Sequence, residues 1–132
     1  MRISTTFLDF EINEKGNRAG FILNERPETA AMDSGFWRLI LDDGMKTEIP
    51  VYSTDQEGTV RSCDRGLIVE YDHLVSEYGD EYPIRLQIRV EADGSLLRFT
   101  SAIENHDSAV RVNECFCPTA DFTALYGPKE ED

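Results

Sequence analysis

Three arginines supply the clearest chemical signal in this chain. Arg85, Arg89 and Arg98 lie in the segment 83–104, where Ile84, Leu86, Ile88 and Val90 alternate with polar residues. That two-residue period marks a strand with one buried face, so the arginines project from the other. Guanidinium groups in a row suit an anion or carboxylate site, or a docking face for an acidic protein partner. Their plainer use is a surface ion ladder worth ~0–1 kcal/mol per pair. Asp93-Gly94 predicts a type I′ turn, which sets Val90 against Leu97, Ile88 against Phe99, Ile84 against Ile103 and Arg89 against Arg98. Like charges facing one another need a partner, and Glu70 is expected to face Arg89 if 67–75 pairs with 83–91.

A second candidate is an acid–base pair. The turn 105–108 pairs Ile103 with Val110, and that register carries Glu114 across from Phe99 on the apolar face. His73 falls on the same nominal face. A buried carboxylate beside an imidazole would do general acid–base work; a bulge in the strand would dissolve the pair. The aromatics Phe36, Trp37, Tyr52, Tyr71, Tyr78, Tyr82 and Tyr126 are the third set. Flat rings stack on sugar faces as they do on bases. Trp37 alternates with Leu39 and Leu41 and reads as core, whereas Tyr78 and Tyr82 flank Gly79-Asp80-Glu81 in a turn and are expected to be exposed ligand contacts.

Cys63, Cys115 and Cys117 read as reduced thiols. The last two share a face of one predicted strand but sit ~6.5–7 Å apart, at the limit for a disulfide. C-x-C is not a usual zinc spacing. No metal and no cofactor is expected, because nucleophile-elbow, phosphate-loop, dinucleotide and zincin patterns are all missing from the sequence.

These side chains are positioned by strands. Leu8, Phe10 and Ile12 run into a turn at Lys15-Gly16, which sets Phe10 against Phe21 and Leu8 against Leu23. Strands follow at 36–41, 45–53 with Pro50 on an edge or bulge, 59–64, 67–75, 83–91, 95–104 and 110–117; 28–32 has room for one helical turn. About nine short strands at near-regular spacing predict an all-β fold, a two-layer antiparallel β-sandwich. One domain is expected over 1–127, with 128–132 an acidic C-terminal tail.

The chain has 132 residues with 26 acids against 13 bases, a net charge of −13. That excludes the basic surface nucleic acid requires and disfavours an anionic membrane. No apolar run approaches the ~20 residues of a membrane helix. The first residues lack a leader's apolar stretch, so a cytoplasmic location is expected.

Two segments resemble a known group. Phe36-Trp37-Arg38-Leu39-Ile40-Leu41-Asp42-Asp43-Gly44 is similar to an early strand and turn of galactose mutarotase-like sandwich domains. Ile103-Glu104-Asn105-His106-Asp107-Ser108-Ala109-Val110-Arg111-Val112, ending in Cys117-Pro118, resembles the strand–Asn–turn–strand unit of the same group. The group includes N-terminal domains of multidomain glycoside hydrolases. The resemblance implies a non-catalytic carbohydrate-associated module that packs on a catalytic domain or shapes its sugar site. The alternative is a standalone scaffold or interaction protein that binds an acidic protein partner. Catalytic mutarotases place a His soon after the Asn unit; 112–117 contains none, which speaks against epimerisation. The group's sandwich is usually larger, so the chain is expected to be part of a larger module or to lack a catalytic domain.

Overall fold

A computed structural model describes residues 1–23 and 35–118. The strands are β1 (Arg2–Ser4), β2 (Leu8–Ile12), β3 (Ala19–Leu23), β4 (Arg38–Asp42), β5 (Ile49–Tyr52), β6 (Thr59–Cys63), β7 (Gly66–Tyr71), β8 (Leu74–Val75), β9 (Glu81–Tyr82), β10 (Ile84–Asp93), β11 (Leu96–Asn105) and β12 (Arg111–Phe116). The only other element among the described residues is a single 3-10 turn, Ser53–Asp55. The fold is all-β, and every strand pair is antiparallel. The expected count of about nine rises because β1 and β9 are not among the expected strands and because 67–75 divides into β7 and β8. The expected helical turn at 28–32, Tyr126, and the boundary at 127–128 lie outside the described residues.

Hydrogen bonding arranges the strands in four sheets, β1-β2-β3, β11-β10-β7-β6, β12-β4-β5 and β8-β9. Their apolar faces join in one core containing Phe10, Trp37, Leu39, Leu41, Leu67, Val69, Leu74, Ile84, Leu86 and Ile88. Ring contacts tie the sheets together: Phe10 on β2 meets Phe99 on β11 edge-on at 5.4 Å, and Trp37 meets Tyr71 at 5.2 Å. The β2–β3 register is as the turn predicts, with Phe10 opposite Phe21 and Leu8 opposite Leu23. Pro50 lies on β5, an outer strand of its sheet, where a missing N–H is tolerated.

The β10–β11 hairpin differs from expectation by two residues. Asp93 pairs with Leu96, so the turn residues are Gly94 and Ser95, with Gly94 at φ +66° and Ser95 not in the left-handed region. A type I′ turn needs positive φ at both centres; Gly at the first centre alone suits type II′. Val90 therefore faces Phe99, Ile88 faces Ser101 and Ile84 faces Asn105. Because the slip is an even number, the apolar sets keep their common face.

β12 does not continue the sheet beside β11. After the turn, in which Asn105 Nδ2 donates to the Val110 carbonyl at 2.7 Å, the chain crosses to pair with β4. The register shifts between Val112 and Glu114, so Asn113 is the extra residue of a bulge. Unbulged, the alternation would place Glu114 opposite buried Leu39; with the bulge it faces Ile40 and is exposed. An unpaired carboxylate in the core costs several kcal/mol, and one inserted residue avoids it.

Candidate functional site

The outer face of β11-β10-β7-β6 carries the polar cluster. With the observed register, Arg85 lies opposite Glu104, Gln87 lies between Glu70 and Ala102, and Arg98 lies opposite Glu91. Arg89 faces Thr100 and Ile68, not Arg98 or Glu70. Each arginine has a carboxylate close by: Arg85 with Asp72 at 3.8 Å and Glu104 at 3.9 Å, Arg89 with Glu91 at 3.8 Å, and Arg98 with Asp93 at 3.0 Å. The row is thus an ion ladder with its charge compensated locally.

Glu70 is the hub of the inner part. It accepts from Gln87 Nε2 at 3.1 Å and from Arg61 Nε at 3.3 Å. The Gln87 hydrogen bond foremost, then that from Arg61, holds its carboxyl below the usual range. Beside it a shallow cavity of about 270 Å³ is lined by Glu70, Arg85, Gln87, Ala102 and Glu104. Gln87, Glu104 and Asp72 were missed from the sequence; the two-residue correction at the turn is what places Glu104 opposite Arg85.

In the Asp42–Gly44 turn, Asp42 is held low by the Gly44 N–H, and Asp43 by the N–H groups of Lys46 and Met45. Groups lowered on folding stabilise the fold above the ordinary carboxylate range and lose that contribution as pH falls through the lowered value. Denaturant midpoints should therefore stay level from about pH 7 to 5 and fall below about pH 4. In Glu70→Gln the acid decline should be shallower. An unchanged acid limb in that variant would show that Glu70 carries no part of it.

The acid–base pair is dismantled. β7 ends at Tyr71 and the chain bends at Asp72 and His73, so Leu74 takes the buried position and His73 is exposed, 3.8 Å from Glu81. Glu114 is exposed and lines a cleft with Val110 and Val112, whereas His73 lines another with Asn17 and Asp55. Of the two turn tyrosines, Tyr78 is exposed and stacks under Lys46 at 4.5 Å. Tyr82 is not: as part of β9 opposite Leu74 it is buried, and burial raises its pKa. Trp37, Phe36 and Tyr71 are core residues, each at most 2% exposed, and present no stacking platform.

All three cysteines are free. Cys115 is exposed, while Cys117 packs against the core and burial, with a smaller push from Cys115, drives its thiol up to about 12. Among the described residues no group of three His, Cys, Asp or Glu is placed to hold a metal ion, and no helix is long and apolar enough to cross a membrane. Comparison with protein-family models, with curated proteins and with solved structures finds no match, so the reading of this polar face rests on its own geometry.

Proposed function

We propose that this chain is a non-catalytic carbohydrate-associated module, a β-sandwich that packs on a catalytic domain or shapes its sugar site and works in a reducing compartment such as the cytoplasm. The observation that carries the reading is the composition of the cavity on the outer sheet face. The Arg85 guanidinium, the Glu70 and Glu104 carboxylates and the Gln87 amide line it together with Ala102. Sugar hydroxyls both donate and accept, and match a mixed set with compensated charge. The rival reading, docking of an acidic protein, needs positive charge left over, and Arg85, Arg89 and Arg98 each have a carboxylate within 3.9 Å. The loss of the His73–Glu114 pair supports a non-catalytic role.

Titration with neutral mono- and oligosaccharides, followed by backbone amide NMR, tests this. At about 10 mM sugar, where millimolar affinity would give near saturation, shifts are expected at Gln87, Ala102 and Glu104. Arg85→Ala should weaken them several-fold. No perturbation by any sugar in the panel would remove the carbohydrate reading.

A further inference from the structure

We propose that this chain associates with a second copy of itself, β11 against β11, about a two-fold axis through Ser101. The inference is independent of sugar binding. β11 is the outer strand of its sheet, and among the described residues it pairs with β10 alone. Asp93 and Leu96 flank a two-residue turn, where the flanking pair exchanges both hydrogen bonds. Alternation from that pair directs the N–H and C=O groups of Phe99, Ser101 and Ile103 away from β10. A row of such groups is a template for another strand.

The side chains also stop short of closure. On β10, Leu86, Ile88 and Val90 are at most 2% exposed. One strand further out, their partners Ile103 and Phe99 are only partly buried and Ser101 is exposed. A neighbouring strand would cover them.

Charge selects which strand and which register. In an antiparallel copy related by an axis through Ser101, Phe99 faces Ile103 of the second copy, Thr100 faces its Ala102, and Arg98 faces its Glu104. By symmetry there are two Phe–Ile contacts and two Arg–Glu pairs, as an isologous interface requires. The Arg98–Glu104 positions are non-hydrogen-bonded pairs, the closer kind, with Cα atoms about 4.5 Å apart. Moving the axis one residue, to Thr100 or Ala102, removes both ion pairs. Arg98 uses one nitrogen on Asp93, leaving donors for the second copy. The result joins two four-stranded sheets into one. A net charge of −13 on each copy opposes association, so the dissociation constant should be on the order of 10–100 µM.

Sedimentation equilibrium over roughly 5–500 µM protein brackets that range. The wild-type chain should pass from monomer to dimer. Ser101→Pro removes an outward N–H and leaves the ladder to β10 intact, a substitution an edge strand tolerates; it should be monomeric with an unchanged circular dichroism spectrum. Arg98→Glu sets like charges across the axis and should weaken association roughly tenfold, and adding Glu104→Arg should restore it. The charge pair decides the matter should Ser101→Pro fail to fold. A wild-type chain monomeric throughout, or a dimer indifferent to Arg98→Glu, overturns the proposal.

Discussion

Gly66→Ala should lower stability by about 3–5 kcal/mol through overpacking against backbone. Gly66 opens β7 and lies between Cys63 of β6 and Glu91 of β10. Its φ is unremarkable for any residue; the constraint is close approach. A Cβ there would stand 1.8 Å from the Val90 carbonyl oxygen, 2.9 Å from its carbon and 3.0 Å from the Glu91 Cα. Ordinary carbon–oxygen contacts between strands are about 3.3–3.6 Å, and every atom named is backbone, so no rotamer change relieves the clash. The β7–β10 ladder, the centre of its sheet, must open at that end. Since whole domains have about 5–15 kcal/mol to lose, Tm should drop on the order of 10 °C or more. A calorimetric scan within about 2 °C of wild type would mean that the strands do not approach this closely. Gly44→Ala serves as the contrast in crowding: nothing lies within 4 Å of its added Cβ, so only its φ of +90° weighs against it.

Tyr71→Phe should follow at about 2–4 kcal/mol although it removes a single oxygen. The Tyr71 hydroxyl accepts from Trp37 Nε1 at 3.0 Å and donates to the Gly16 carbonyl. Both partners are buried, with Trp37 2% exposed. Taking the oxygen away leaves one donor and one acceptor dry and unpaired, each costing about 1–3 kcal/mol. The hydroxyl also joins three parts of the fold: the β2–β3 turn, the lead into β4, and β7. Burial pushes the Tyr71 phenol well above its ordinary range, so it keeps its proton at every working pH. Urea denaturation of the single variants and of Tyr71→Phe combined with Trp37→Phe checks the assignment. The combined loss should be clearly smaller than the sum, because removing Trp37 Nε1 also removes the stranded donor. Strict additivity would show that the hydroxyl and the indole do not interact.

The candidate site was legible only in part. The arginines were placed on the correct face because parity along a strand survives any even slip in register, and the slip at Gly94-Ser95 is two. Their partners were not, because a partner is one particular residue and changes with every slip. Glu104 opposite Arg85 depends on which of two adjacent positions the turn occupies, and Asp93-Gly94 and Gly94-Ser95 both suit a hairpin on local chemistry. Glu70 opposite Gln87 is set separately, by the pairing of β7 with β10 across the connection 72–83. Tyr82 was misplaced for a related reason: its neighbours Gly79-Asp80 read as loop, while the short β8–β9 pairing that buries it draws on Leu74, eight residues earlier in the chain.

Local pattern by itself determined the all-β class, the antiparallel hairpin of β2 and β3, the buried stripe Trp37–Leu39–Leu41 and the edge position of Pro50. Each follows from the two-residue period of a strand, the φ demands of a short turn or the N–H that proline lacks, properties of residues close in sequence. Tertiary structure alone decided that β12 pairs with β4, that Asn113 bulges, and that His73 and Glu114 turn outward to separate clefts. The reason is desolvation. An imidazole and a carboxylate carried inward by simple alternation would lose water without gaining partners, and the chain spends a bend at Asp72 and one extra residue in β12 to leave them in solvent. That balance is struck between surfaces distant in sequence, which no periodicity records.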